Sequence, residues 1–370
     1  MKVAIITIID KENIGNRLQN YAVQELLKEM ELDVTTIDYY NTNNNDSLLE
    51  RIKLNTYSIL SKIGFFQTSF YIDIIKHNPR LRLVQEFNKK YVNITKDYLF
   101  SSKKKRRMEK HANDFDYYCV GSDQIWNSYL VQNNDFFFCC FAKSERCFSF
   151  AASMGTTFVQ EKFIDTFKRG LKHLGNISVR EIETQKYIKS LVDRDAVVLL
   201  DPTLLLTRDK WLDIVKKPDF VIPRKFIVTY FLSEQTKAQK ELISAYAQKN
   251  GLKIIDINGL YKTFIGPSEF VYLISSAEYV FTDSFHGTAF SVIFNKPFIV
   301  FKRNNIYDMS ARITTLLKKI NLCDRFYAED NNLINLEITE RLTSYDADGY
   351  RKEEIRAAKN FLNLCLKRDD

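Results

Sequence analysis

The chain has 370 residues, 45% hydrophobic and 27% charged, which is the balance of a folded globular protein and excludes a disordered one. That length exceeds one ordinary core, so two domains are expected. A formal charge of +8 points to anionic partners, among which nucleic acid, acidic lipid headgroups and phosphorylated metabolites all qualify.

Six cysteines (119, 139, 140, 147, 323 and 365) form no CxxC pair, and four histidines show no ligand spacing, so no metal site is expected. Cys119, Cys139 and Cys147 sit in apolar runs and read as buried free thiols of a reducing cytoplasm. The opening MKVAIITIIDKEN has too short an apolar run for a secretory leader, and no stretch of ~18 apolar residues predicts a spanning helix.

Residues 2–9 read as a buried strand. Residues 16–30 follow with Leu18, Ala22, Leu26 and Met30 at helical spacing, and 34–40 read as a second strand. Strand, helix, strand in this space implies a parallel sheet. The aromatic run 57–75, with Phe65, Phe66, Phe70 and Tyr71, reads either as paired amphipathic helices on the core or as an apolar patch meeting a bilayer. The cluster Lys103-Lys104-Lys105-Arg106-Arg107 reads as a solvated loop or as a contact to an anionic surface.

Strands resume at 115–120, 146–152, 177–179 and 196–200. Polar residues gather at their carboxyl ends: Gly121-Ser122-Asp123, Arg180, Asp201-Pro202. In open α/β sheets that edge binds ligands. A boundary falls between 205 and 225, where Trp211 lies in a helix and KKPDFVIPRK carries two prolines. A second unit runs through strands at 226–232, 253–257, 278–282 and 297–301, then helices near 309–320 and 350–367.

The expected architecture is α/β and GT-B-like, two Rossmann-type doubly wound domains facing a cleft. Residues 1–210 form the acceptor side and contribute Arg180. Residues 220–345 form the donor side and contribute His286, and 346–370 are a helix packing back on the first domain. Neither half carries GxGxxG after its first strand, and GxxxxGK[ST] is absent, which argues against a dinucleotide or P-loop enzyme.

The richest segment is EYVFTDSFHGTAFSVIFNKPFIVF: a strand, a turn with Asp283, Ser284, His286 and Gly287, a short apolar helix, and another strand. N–H groups at a helix start attract anions, glycine permits close approach, and histidine titrates near neutrality. Arg180 is either a fork for a carboxylate or phosphate, or the partner of a nearby acid such as Glu183. His286 either meets the anion or caps its helix. Lys302 and Arg303 follow the next strand and add positive charge, or stand in solvent. Asp123 and Asp283 lie in turns, where aspartate either bonds backbone N–H groups or deprotonates a hydroxyl.

Several blocks resemble the polysaccharide pyruvyl transferases. They are Asn13-Ile14-Gly15-Asn16 with Leu18-Gln19-Asn20-Tyr21-Ala22; Val120-Gly121-Ser122-Asp123-Gln124-Ile125-Trp126-Asn127; Ser149-Phe150-Ala151-Ala152-Ser153-Met154-Gly155; Ser178-Val179-Arg180-Glu181; Asp201-Pro202-Thr203; and Asp283-Ser284-Phe285-His286-Gly287. They occur in family order from residue 13 to about 301. The resemblance implies transfer of pyruvate from phosphoenolpyruvate to a sugar of a bacterial surface polysaccharide precursor, closing a cyclic ketal; nothing in that chemistry demands a metal, and no cofactor is expected.

By that resemblance Arg180 and His286 hold the donor, with Lys302, then Arg303, as the basic residue after the last strand; Ser284 and Gly287 join them. His286, Asp123 and Asp283 are the catalytic candidates, His286 as acid or phosphate ligand. Asn16, Gln19, Asn20, Gln124 and Trp126 are assigned to the acceptor, expected to be lipid-linked. The resemblance favours a cytoplasmic enzyme peripheral to the inner face of the plasma membrane. Two other classes compete: a GT-B glycosyltransferase using a nucleotide sugar, and a non-catalytic anion- or nucleic-acid-binding protein. Interspersion of the basic residues with 46 acids argues against nucleic acid.

Overall fold

A computed structural model describes residues 1–10, 13–37, 79–95, 112–129, 135–303, 310–327, 345 and 347–367. The aromatic run 57–75 and the basic cluster 103–107 lie outside the described residues.

The first sheet is parallel, in the order β2-β1-β3-β4-β5-β6. Its strands are β1 (Lys2–Ile6), β2 (Asp33–Thr36), β3 (Tyr117–Val120), β4 (Cys147–Ala152), β5 (Asn176–Val179) and β6 (Val197–Val198). Val3, Ala4, Ile5 and Ile6 are all buried, as a parallel strand covered on both faces requires. Helix α1 (Ile14–Lys28) connects β1 to β2. Asn13 caps it, its side chain accepting from Asn16 N at 3.1 Å. Strand β1 has β2 on one side and β3 on the other, so the connections diverge there. The loops after β1 and β3 therefore flank a crevice at the carboxyl edge.

The second sheet is also parallel, in the order β11-β10-β9-β7-β8. It comprises β7 (Phe226–Tyr230), β8 (Lys253–Asp256), β9 (Tyr279–Thr282), β10 (Phe298–Phe301) and the two-residue β11 (Phe326–Tyr327). The β11 strand carries no periodicity that a sequence reading could find. Here β7 is flanked by β8 and β9, which creates a second divergence. Strand β1 ends at residue 6, short of its expected end, and just beyond it the Thr7 hydroxyl donates to Ser122 O at 2.9 Å.

Between the sheets the chain forms α5 (Pro202–Leu205) and α6 (Arg208–Leu212). Trp211, fully buried, joins the two halves: its ring lies 5.5 Å from Tyr21 of α1 and 4.7 Å from Phe290 of α9 (Phe285–Ile293). The final helix α11 (Asp348–Leu366) lies against the first domain. Arg351 Nη2 donates to Leu206 O at 2.6 Å, and Tyr117 Oη donates to Leu366 O at 3.1 Å. Cys119, Cys139 and Cys147 are buried free thiols. Among the described residues no helix is long and apolar enough to cross a membrane.

Candidate active site

Both crevices open onto one cluster. From the first domain come the loops after β1, β3 and β5. Asn16, in the first turn of α1, donates from Nδ2 to Asp123 Oδ2 at 2.7 Å. Asp123 adopts φ +74°, outside the usual range of L-residues, and its Oδ1 accepts from Gln124 N at 2.8 Å. Burial raises the Asp123 carboxyl, but Arg180, His286, Arg312 and the Asn16 N–H bond outweigh it, and the group ends below its ordinary range.

Arg180, 3% exposed, stands at the end of β5. Its Nη1 lies 2.6 Å from Asp201 Oδ2, and its Nε donates to Ser122 Oγ at 2.8 Å and to Ala151 O at 3.1 Å. Asp201 in turn caps α5, accepting from Thr203 N at 2.8 Å and Thr203 Oγ1 at 2.6 Å. The acid that pairs with Arg180 is thus Asp201, and not Glu183.

From the second domain, Ser284 caps α9, its Oγ accepting from Gly287 N at 3.4 Å. Two guanidinium groups approach the Phe285 ring: Arg180 at 5.6 Å and Arg312, from α10 (Ala311–Lys319), at 5.4 Å. His286 is buried, and its Nε2 has no hydrogen-bond partner among the described residues. Burial pushes its pKa down to about 4; Asp201 and Asp123 pull upward, while Arg180 and Arg312 push it further down. The imidazole packs on α1, where a Cβ at Gly15 would meet its Nδ1, Cγ and Cε1.

Gly15 therefore has no room for a side chain because a group from the other domain occupies it. Gly15→Ala is expected to displace the imidazole and lower turnover by ~10²-fold, the cost of a misplacement near 1 Å, with an unchanged far-UV circular dichroism spectrum. Wild-type turnover in this variant would show that the close contact does not position His286.

Arg312 is 6% exposed. With the Gln124 amide turned so that its oxygen faces the guanidinium, Arg312 Nη1 donates to it at 3.1 Å across the domain boundary. Burial and the neighbouring Arg180 push the Arg312 pKa down to about 10. A pocket of about 10 Å³ lies beside it, lined by Asp283, Phe285, Phe301, Arg303 and Arg312. That is room for about one water, so a three-carbon acid does not fit the pocket without rearrangement of its walls.

The remaining candidates divide by location. Asp283 accepts from Leu232 N at 2.7 Å, Ser233 N at 2.9 Å and Ser233 Oγ at 2.5 Å, tying β9 to the turn after β7. Those bonds occupy the lone pairs a base would use. Arg303 is half-buried with Nε 3.8 Å from Asp283 Oδ2, whereas Lys302 is exposed. Successive residues at a strand end point in opposite directions, and only Arg303 points inward to Asp283. Gly287 is pressed on Thr282, whose Oγ1 a Cβ would meet.

Of the five residues assigned to an acceptor, Asn16 and Gln124 reach the cluster. Gln19 donates to Thr7 Oγ1 at 3.0 Å and Asn20 to Thr36 Oγ1 at 2.8 Å, both fully buried. Trp126 is fully buried, stacked on Phe138 with its indole donating to Phe137 O at 3.1 Å. These three side chains hold the first domain together and offer a sugar no free surface. Sequence reasoning missed Arg312. The available signal was a cation at helical spacing with Thr315 and Leu316, on the buried face of its helix. Among the described residues no group of three or more His, Cys, Asp or Glu could hold a metal ion.

Two parallel α/β domains with their carboxyl edges turned on a shared cluster define a GT-B fold. Solved structures agree. The UDP-GlcNAc 2-epimerase from Neisseria meningitidis is 12% identical, covers both chains completely and has a TM-score of 0.52. That from Methanocaldococcus jannaschii is 11% identical over 98% of this chain and 99% of its own, also with a TM-score of 0.52. At such identity the likeness concerns the fold alone. No curated protein matches the sequence. A family model, "Polysaccharide pyruvyl transferase", matches residues 13–305, and the chain belongs to that family.

Proposed function

We propose that this enzyme transfers pyruvate from phosphoenolpyruvate to a sugar of a surface polysaccharide precursor, closing a pyruvate ketal. The observation that carries this reading is the buried cationic cluster, assembled from both domains around His286 in a polysaccharide pyruvyl transferase. Phosphoenolpyruvate presents a carboxylate and a phosphate on a three-carbon frame, and planar guanidinium groups suit both.

In the reaction a proton adds to the methylene carbon, which becomes a methyl group, and positive charge builds on the adjacent carbon. A sugar hydroxyl oxygen bonds to that carbon and loses its proton. The carbon–oxygen bond to phosphate then breaks. A second hydroxyl takes the vacated position, loses its proton and closes the ring, leaving inorganic phosphate. His286, buried within electrostatic reach of Arg180 and Arg312, is the group for the proton or for the departing phosphate. Asp123, held ionised beside Asn16, faces the same cluster and serves the hydroxyl. The acceptor is expected to be lipid-linked, which would bring the enzyme to the inner face of the plasma membrane.

A ligand that binds only the folded chain raises stability by mass action, by about 2.7 kcal/mol at a hundred times its Kd. Phosphoenolpyruvate is therefore expected to raise the thermal unfolding midpoint by several degrees, whereas UDP- and dTDP-sugars leave it unchanged. Protection by a nucleotide sugar alone would favour a GT-B glycosyltransferase instead.

A further inference from the structure

Resting on the assignment of this cleft to an anionic donor, we propose that Arg312, and not Arg180, takes an anionic oxygen of the donor, with Gln124 holding its place beforehand. The two arginines approach the Phe285 ring at nearly equal distances, 5.6 and 5.4 Å, but their surroundings differ. Arg180 is already neutralised by Asp201 at 2.6 Å, both side chains being 2% exposed or less. Its Nε and Nη2 are spent on Ser122 Oγ, and Nε also meets Ala151 O. A donor reaching for Arg180 would have to displace Asp201, which Thr203 anchors by two bonds.

Arg312 is just as deeply placed, yet among the described residues no carboxylate forms an ion pair with it within 4.0 Å, whereas Arg180 and Arg303 each have one. Its acceptor is the neutral amide of Gln124. Asp123 and Glu181 act on it only from beyond ion-pair distance, so this buried cation is costly, and a ligand that brings an oxyanion into contact relieves that cost. Exchanging an amide oxygen for an oxyanion replaces a neutral hydrogen bond by a charge-assisted one of roughly twice the strength. Arg303 lines the same small pocket and adds a third cation. In this scheme Arg180 is a positioning residue: it fixes Ser122, Ala151 and Asp201 and packs near the Phe285 ring.

The test is titration of the full chain with phosphoenolpyruvate, inorganic phosphate and pyruvate, read by calorimetry and thermal unfolding, together with steady-state kinetics. Arg312→Gln is expected to raise the Kd for phosphoenolpyruvate by ~10–100-fold. Gln124→Glu places a carboxylate of the same shape against Arg312; it is expected to hold or raise the unfolding midpoint and to weaken the donor at least tenfold. If Arg312→Gln fails to fold, Gln124→Glu carries the test. Wild-type donor affinity in either folded variant overturns the proposal.

Arg180→Ala should weaken donor binding less than Arg312→Gln does while kcat collapses; the reverse ranking also overturns it. Selective loss of the phosphate response in Arg312→Gln places the phosphate end there, and selective loss of the pyruvate response places the carboxylate end there; both support the assignment. A wild-type chain that binds phosphate but not phosphoenolpyruvate refutes the donor reading, while Arg312 is still judged on phosphate. Binding of none of the three refutes both.

Discussion

Arg180→Ala is expected to abolish turnover and to destabilise the chain by about 3–5 kcal/mol, the cost of leaving one member of a buried ion pair alone. Asp201 would keep its two bonds from Thr203 but lose its counter-charge, and Ser122 would lose its donor. Both losses strike loops at the crevice, so site geometry and stability fail together. Replacing the pair jointly by apolar residues of similar volume should restore much of the stability and none of the activity. Urea unfolding with a kinetic assay checks both halves. Full activity in Arg180→Ala, or a stability change below about 1 kcal/mol, would remove the ion pair from the account.

His286→Ala is expected to lower turnover by ~10²–10⁴-fold if the imidazole delivers the proton. With a pKa near 4, only about one imidazole in a thousand is protonated at neutral pH. If His286 is the acid, a donor carrying two or more negative charges would raise its pKa, so that the substrate itself would arm it. Nuclear magnetic resonance titration should show the His286 pKa climbing on addition of phosphoenolpyruvate.

The same shift bears on stability. An unfolded histidine takes a proton near pH 6.5, and the folded one does so only near pH 4. Between those values the unfolded state binds more protons, so native stability falls as pH drops from about 6.5 to 4 and is fully present above. His286→Gln should flatten that part of the profile. An unaltered slope would assign the acid sensitivity to other groups.

Much of the architecture was legible because parallel strands covered on both faces read as apolar runs between helical periods. Residues 2–9, 226–232 and 278–282 announced themselves in this way, and β1, β7 and β9 lie within those spans. Arg180 and His286 were legible because each follows a strand at the edge where such sheets bind ligands, inside blocks shared with a family. The assignment of Gln19, Asn20 and Trp126 to an acceptor shows where that reading gives out. A polar residue in a helix or turn looks the same whether it faces a ligand or bonds Thr7, Thr36 or Phe137 inside the core.

Composition and pattern alone therefore determined two α/β domains, a cationic excess and the strand ends at which function would concentrate, because period and turn chemistry are local properties of the chain. Only the tertiary structure decided which charges meet. Arg312 is 132 residues from Arg180 in sequence, and Gly15 is 271 from His286, yet each pair shares one cluster. No local signal encodes such distances. They arise where two sheets, each diverging at its own crevice, press their carboxyl edges together, and where burial then makes every unpaired charge consequential.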